Sequence, residues 1–216
     1  RQKLVENLSS IGAEAFIGIP LAHVLRLLSP GKFSTLKVKV TVGRRLFWGG
    51  YGLDEFRTGP WRPFPPVPVR PDEQAAIFFT TGSTGPPKGV VYEHGMFDAQ
   101  VRFLSAHFGY GPDEVDLAAF PLFALFDAVL GMTSVIPDMD PTRPAQADPR
   151  KIIHALEVNG CNSMYGSPAL LENLARHGRE TGKKLPNLKR IVTAGAPIRP
   201  ELIEAVHRML PPDARI

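Results

Sequence analysis

Ten residues, Thr80 to Gly89, read TTGSTGPPKG and place three glycines, four hydroxyl side chains and one lysine between the apolar runs Ala75 to Phe79 and Val90 to Tyr92. Glycine lets the backbone turn successive amides inward at little steric cost, and each hydroxyl adds a donor. Inward amides form a concavity for anions, and Lys88 supplies a full positive charge at its end. Residues of these types in this order suit a polyphosphate. A Walker A loop does not fit, because it needs Gly-Lys-Ser/Thr opening a helix, whereas Lys88 follows Pro86 and Pro87 and precedes Gly89. Two prolines oppose a helix start there, while Val90, Val91 and Tyr92 favour a strand. The spacing predicts strand, Gly/Ser/Thr loop, strand.

The elements that must carry this loop alternate between strand and helix. Ala15 to Ile19 reads as a strand, and Pro20 takes the favoured first helical position before Leu21 to Leu28. Leu36, Val38, Val40 and Val42 alternate with Lys37, Lys39 and Thr41, which predicts a strand with the lysine and threonine face outward. Six prolines within Pro60 to Pro71 predict a stiff, extended connector. Phe97, Val101, Leu104 and Phe108 recur at helical spacing and predict one buried face. Asp148-Pro149 and Ser167-Pro168 read as N-cap plus proline starts, and Arg199-Pro200 precedes a third periodic segment. Strands near Asn162 to Tyr165 and Lys189 to Thr193 fall between these helices. The pattern predicts an α/β layered sandwich with a largely parallel sheet. It divides into a partial α/β subdomain over 1–59, the connector 60–71, and a second partial subdomain over 72–216 that carries the loop.

Composition narrows the function classes. The chain has 216 residues, 44% hydrophobic and 21% charged, with a net charge of +4. That is a globular composition able to bury a core. Arg44-Arg45 and Lys183-Lys184 read as solvated surface, and no aromatic interleaving or nucleic-acid motif accompanies them, so nucleic acid is not an expected partner. The apolar stretch Leu117 to Met132 is interrupted by Pro121 and Asp127 and is too short for a membrane span. Cys161 is the only cysteine, which suits a reducing, cytoplasmic home. Six scattered histidines have no zinc-ligand spacing, so no metal ligands are assigned. Asp138 and Asp140, in Pro-Asp-Met-Asp-Pro, read as turn formers rather than a hard-metal pair.

Thr80 to Gly89 resembles the phosphate-binding signature of the adenylate-forming superfamily, which includes acyl-CoA synthetases, luciferases and peptide-synthetase adenylation domains. Phe120-Pro121-Leu122-Phe123 resembles the aromatic gate motif of that superfamily. Gly166-Ser167-Pro168, followed by Leu170 and Leu171, is similar to its strand-to-helix junction, and Ala194-Gly195-Ala196-Pro197 to its adenine-side segment. The landmarks keep the family order from about Ala75 to Pro197. Where many members carry histidine after the gate motif, this chain has Ala124. Together with Phe126-Asp127 and the run Ser134 to Pro141, this looks similar to bacterial enzymes of long-chain olefin biosynthesis, often labelled fatty-acid CoA ligases. Their chemistry is closure of a β-hydroxy acid to a β-lactone through an acyl-adenylate.

The resemblance implies part of a large N-terminal domain that activates a fatty-acyl carboxylate with ATP and Mg2+. It implies phosphate contacts from Thr80, Thr81, Gly82, Ser83, Thr84, Gly85 and Lys88, with Lys88 and Thr84 catalytic. Gly195, Ala196 and Pro197 would flank adenine; read without the resemblance, they make a simple strand-to-helix turn. Phe123 and Ala124 would border the acyl entrance, with plain aromatic packing as the competing reading. The second nucleophile is either CoA as co-substrate or an internal β-hydroxyl, and a non-catalytic nucleotide-binding scaffold is the reading from another class. The family's Tyr-Gly-x-Thr-Glu motif, ribose-binding aspartate and C-terminal lid domain have no counterpart between Arg1 and Ile216. The expectation is therefore the middle of a longer enzyme, inactive alone and self-associating through unpaired sheet edges.

Overall fold

Proline placement sets up the first parallel pair of strands. After a helix, Gln2–Ser10 (α1), the chain extends as Ala15–Gly18 (β1), and Pro20 opens Pro20–Leu27 (α2), where its missing N–H leaves no helical bond unmade. The chain returns through Val38–Thr41 (β2), which pairs parallel with β1 on one side and with Tyr51–Gly52 (β3) on the other. A short helix, Leu53–Arg57 (α3), follows. The computed structural model describes residues 2–58, 63–80 and 88–216. The chain divides into two units, Arg1–Phe97 and Asp98–Ile216.

One expectation fails in β2. Thr41 is fully buried rather than outward. Trp48 is the reason: its Nε1 donates to Thr41 Oγ1 at 2.9 Å, and its ring lies flat on buried His23 of α2 at 5.2 Å between centroids. His23 Nε2 in turn lies 3.1 Å from Val40 O. A polar strand residue is tolerated inside because a neighbour uses its hydroxyl.

Residues 63–70 form neither helix nor strand, as the prolines require, and residues 59–62 of the connector lie outside the described residues. Gln74–Thr80 (β4) and Lys88–Glu93 (β5) then pair antiparallel, with Phe79 opposite Gly89 and Thr80 opposite Lys88. The strands run further toward the loop than the apolar runs indicate, by one residue in β4 and two in β5, so Lys88 is itself the first strand residue. A strand, not a helix, begins there. Residues 81–87 lie outside the described residues, and with them Thr81, Gly82, Ser83, Thr84 and Gly85. Helix His94–Phe108 (α4) follows and holds Phe97, Val101, Leu104 and Phe108, all half-buried.

The second unit is built on four parallel strands. Val115–Ala118 (β6) leads through a 3₁₀ turn, Pro121–Phe123, into Ala124–Leu130 (α5) and then Thr133–Val135 (β7). Pro149–Val158 (α6), Ser163–Tyr165 (β8), Pro168–Thr181 (α7), Arg190–Val192 (β9) and Pro200–His207 (α8) complete the series. The Asp148 carboxylate accepts from Arg150 N at 3.0 Å and Ser167 Oγ from Leu170 N at 3.4 Å, each with proline at the first helical position. The strand order is β7-β6-β8-β9. Leu117, Met164 and Ile191 share one register row and pack with Ile152, Leu171 and Val206 in the main core. The fold is α/β with parallel sheets.

Met164 is fully buried on a central strand. Met164→Ala should therefore destabilise the second unit by roughly 2–5 kcal/mol. Urea unfolding of the full-length protein checks this, and an unchanged midpoint would place Met164 outside the core.

Candidate active site

The chain steps from β6 to β7 on one side of the sheet and then crosses back to place β8 on the other. The connections after β6 and β8 thus diverge, and open α/β sheets bind ligands beyond the carboxyl ends of such a strand pair. A cavity of about 180 Å³ lies at this point. It is bordered by Ala119 and Phe120 after β6, Tyr165 and Ser167 at the end of β8, and Ala194 and Gly195 after β9. Its walls are mainly apolar and suit a flat ring better than a phosphate.

Gly195 has φ +96°, a left-handed conformation that a side chain would strain. A Cβ there would meet nothing within 4 Å, so the turn requires the glycine and leaves the backbone open on that side. Ala196 and Pro197 are exposed and do not border the slot. The hydroxyl of Thr193, two residues ahead of Gly195, is buried without a hydrogen-bond partner among the described residues.

Phe123 stacks on Tyr165, 3.7 Å between centroids and 16° from parallel. It also borders a second, smaller cavity of about 30 Å³ with Asp116, Asp127, Tyr110 and Tyr165. The packed-aromatic reading and a place at a cavity wall therefore both hold for Phe123. Ala124, first residue of α5, is half-buried and does not border that cavity. Tyr165 borders both cavities.

Below the stack, the face of the sheet opposite Leu117 and Met164 is polar. Ser134, Asp116, Ser163 and Arg190 form one register row across all four strands. Asp116 is 3% exposed, and its Oδ1 has no hydrogen-bond partner among the described residues. Burial, reinforced by the charges of Asp127 and Glu114, pushes its carboxyl up to about 7, against the Ser163 hydroxyl and Arg190. Burial also raises Asp127, opposed by Ser134 Oγ donating to its Oδ2 at 2.6 Å. Tyr110 Oη lies 3.3 Å from Ser163 Oγ, and the Arg190 guanidinium sits 4.7 Å over the Tyr110 ring and 3.4 Å from Glu114. Sequence reading missed Asp116, Ser163 and Tyr165. The available signal was a lone acid inside the apolar run 115–119.

Other candidates have ordinary explanations. Asp140 Oδ1 accepts from Thr142 N and Oγ1 and so organises a turn, whereas Asp138 forms an ion pair with Lys151 on α6. Among the described residues no group of three or more His, Cys, Asp or Glu side chains could hold a metal ion. Cys161 is buried and its thiol is pushed up to about 11, first by burial and then by Asp116, which suits an inert core residue. No helix among the described residues is long and apolar enough to cross a membrane.

A parallel α/β sheet with a slot at its crossover, on a chain with a hydroxyl-rich, lysine-ended hairpin, defines a nucleotide-handling class. The chain belongs to the AMP-binding enzyme family, whose model matches residues 16–216. It is similar over its full length to two proteins named olefin beta-lactone synthetase. They come from Stenotrophomonas maltophilia, at 48% identity, and Xanthomonas campestris pv. campestris, at 45%. It spans 38% of the length of each. The fold is also that of an anthranilate CoA ligase solved with anthranoyl-AMP: TM-score 0.77 at 15% identity, covering 97% of this chain and 41% of that one.

The perturbed carboxyl of Asp116 makes stability depend on pH. Its value lies near 7 folded against an ordinary 3.8, so the folded state keeps a proton that the unfolded state releases. Stability from this group is full below about pH 4 and falls as pH rises through 7. Asp116→Asn should remove that loss, gaining up to about 4 kcal/mol over the parent at pH 8 relative to pH 4, at roughly 1.4 kcal/mol per pKa unit. Urea unfolding of both proteins across this range tests it; parallel stability curves would refute the shift.

Proposed function

We propose that the full-length protein activates a fatty-acyl carboxylate bearing a β-hydroxyl as acyl-AMP, releasing pyrophosphate, and then closes it to a β-lactone. The apolar slot at the β6/β8 crossover, ended by Gly195, carries the first step. It offers a mainly apolar surface, with aromatic rings beside small residues, to a nucleobase at the place where α/β sheets bind ligands. The second step rests on 48% and 45% identity to the two olefin beta-lactone synthetases, and on Ala124 where many superfamily members carry histidine. The loop and gate motifs serve acyl-CoA synthetases equally well, which keeps transfer to CoA as the competing second step.

In this reading a carboxylate oxygen attacks the α-phosphorus in line and pyrophosphate leaves. The protein contributes positioning and neutralisation of phosphate charge. Amides and hydroxyls from Thr80 to Gly85 hold the β- and γ-phosphates, with Lys88 and Thr84 in the catalytic roles. Gly195, with Ala196 and Pro197 beyond it, flanks the adenine, and Phe123 and Ala124 border the acyl entrance. Magnesium accompanies the triphosphate, and none of the described residues is assigned as its ligand. The chemistry of Cys161, a free thiol, favours the cytoplasm.

Full-length protein given ATP and a panel of fatty and β-hydroxy acids should exchange pyrophosphate into ATP, and product analysis should find lactone rather than thioester. Absence of exchange with every acid would favour the non-catalytic scaffold. Lys88→Ala should lose about 2–4 kcal/mol of transition-state stabilisation, the range for one preorganised donor, which is roughly 30- to 1000-fold in exchange rate. Near-normal exchange in this variant would remove Lys88 from the mechanism.

A further inference from the structure

Closure of a β-lactone must release a proton, and the polar row beneath the aromatic stack contains a group able to take it. This inference rests on the adenylation and lactone reading above. When the β-hydroxyl oxygen attacks the acyl carbon, a carbon–oxygen bond forms. The bond to the phosphate oxygen breaks, AMP leaves with the electron pair, and the hydroxyl proton passes to a base. The titratable groups bordering the smaller cavity are Tyr110, Asp116, Asp127 and Tyr165. Burial raises both phenols, so they hold their protons at neutral pH. Asp127 Oδ2 is engaged by Ser134. Asp116 has a buried oxygen, Oδ1, with no hydrogen-bond partner among the described residues.

We propose that Asp116 is the general base of the second step, receiving the β-hydroxyl proton through one water in the cavity beneath the Phe123–Tyr165 stack. Asp116 and Phe123, which this reading puts at the acyl entrance, border the same cavity, so a water held there lies beside the acyl chain rather than in the adenine slot. A cavity of about 30 Å³ has room for one. Tyr165 borders both the cavity and the slot, so the two adjoin at one side chain.

The groups facing Asp116 set its readiness to accept. Asp127 from α5 and Glu114 beside β6 favour the protonated form, while Ser163 from β8 and Arg190 from β9 favour the ionised one. Tyr110 bonds Ser163, the buried Cys161 thiol senses the Asp116 charge, and α4 contributes only the apolar Leu104 to the cavity.

The test uses full-length protein, ATP and a β-hydroxy fatty acid, with pyrophosphate exchange and lactone formation measured separately. In Asp116→Asn the ratio of lactone formation to exchange should fall about 100- to 10,000-fold, the usual worth of a positioned base. In the parent, lactone formation should rise with pH through a midpoint near 7. Asp127→Asn should move that midpoint down and Ser163→Ala should move it up, shifts that a purely structural role would not produce. The proposal is overturned by lactone formation at the parental ratio in Asp116→Asn, by equal loss of both activities, or by a midpoint unmoved in the two neighbours. A parent protein without exchange overturns the adenylation reading itself, and this inference with it.

Discussion

A strand buried on both faces cannot hide a polar side chain from its neighbours, and β6 is such a strand. Leu117 faces the main core, whereas Asp116, one residue earlier, faces the other side at 3% exposure. Register then decides what surrounds it. Parallel pairing puts Ser134 and Ser163 beside Asp116, and Arg190 beyond Ser163, so the polar residues of four strands share one row. A row of this kind lowers the cost of each buried group only while its members satisfy one another. Here one carboxylate oxygen is left over. Asp116 also borders the smaller cavity.

The same sheet determines where a ligand can lie. Each parallel strand ends at the same edge, and a connection must turn the chain there to bring it back. Ser167-Pro168 does this for β8 with a cap and a preset backbone angle. Gly195 does it after β9 by adopting a positive φ. Ala119, Ser167, Ala194 and Gly195 leave room for the slot beside the larger Phe120 and Tyr165. Tyr165 borders both this slot and the smaller cavity, and Phe123 stacks on it from the side of the smaller one.

Features governed by local chemistry were legible in the sequence. The prolines at 149, 168 and 200 mark helix starts, the apolar runs around the Gly/Ser/Thr loop give a hairpin, and alternating elements give a parallel sheet. The motif order was enough to place the chain in its family. What stayed hidden depends on register and on distant packing. Thr41 reads as outward until Trp48, seven residues on, covers it and bonds its hydroxyl. Asp116 and Ser163 lie 47 residues apart in number, and only strand pairing makes them neighbours. Tyr165 reads as a strand terminus and is one, but that it also borders two cavities shows only in the fold.

The two halves of the proposed reaction ask for opposite electrostatics, and solvation is how one chain can supply both. Holding a triphosphate calls for positive charge and donors that remain charged when no ligand is bound. Lys88 stands exposed at the start of β5, where a compact ammonium is well hydrated. Taking up a proton calls for the reverse, an acid made basic by loss of water, and Asp116 is placed where desolvation does most of that work. An exposed aspartate would stay ionised and too weak a base at neutral pH, while a lysine buried in the polar row would lose its charge. The contrast between a hydrated cation on a hairpin and a dehydrated acid in a sheet follows first from burial and then from neighbouring charges, both fixed by the fold before any substrate arrives.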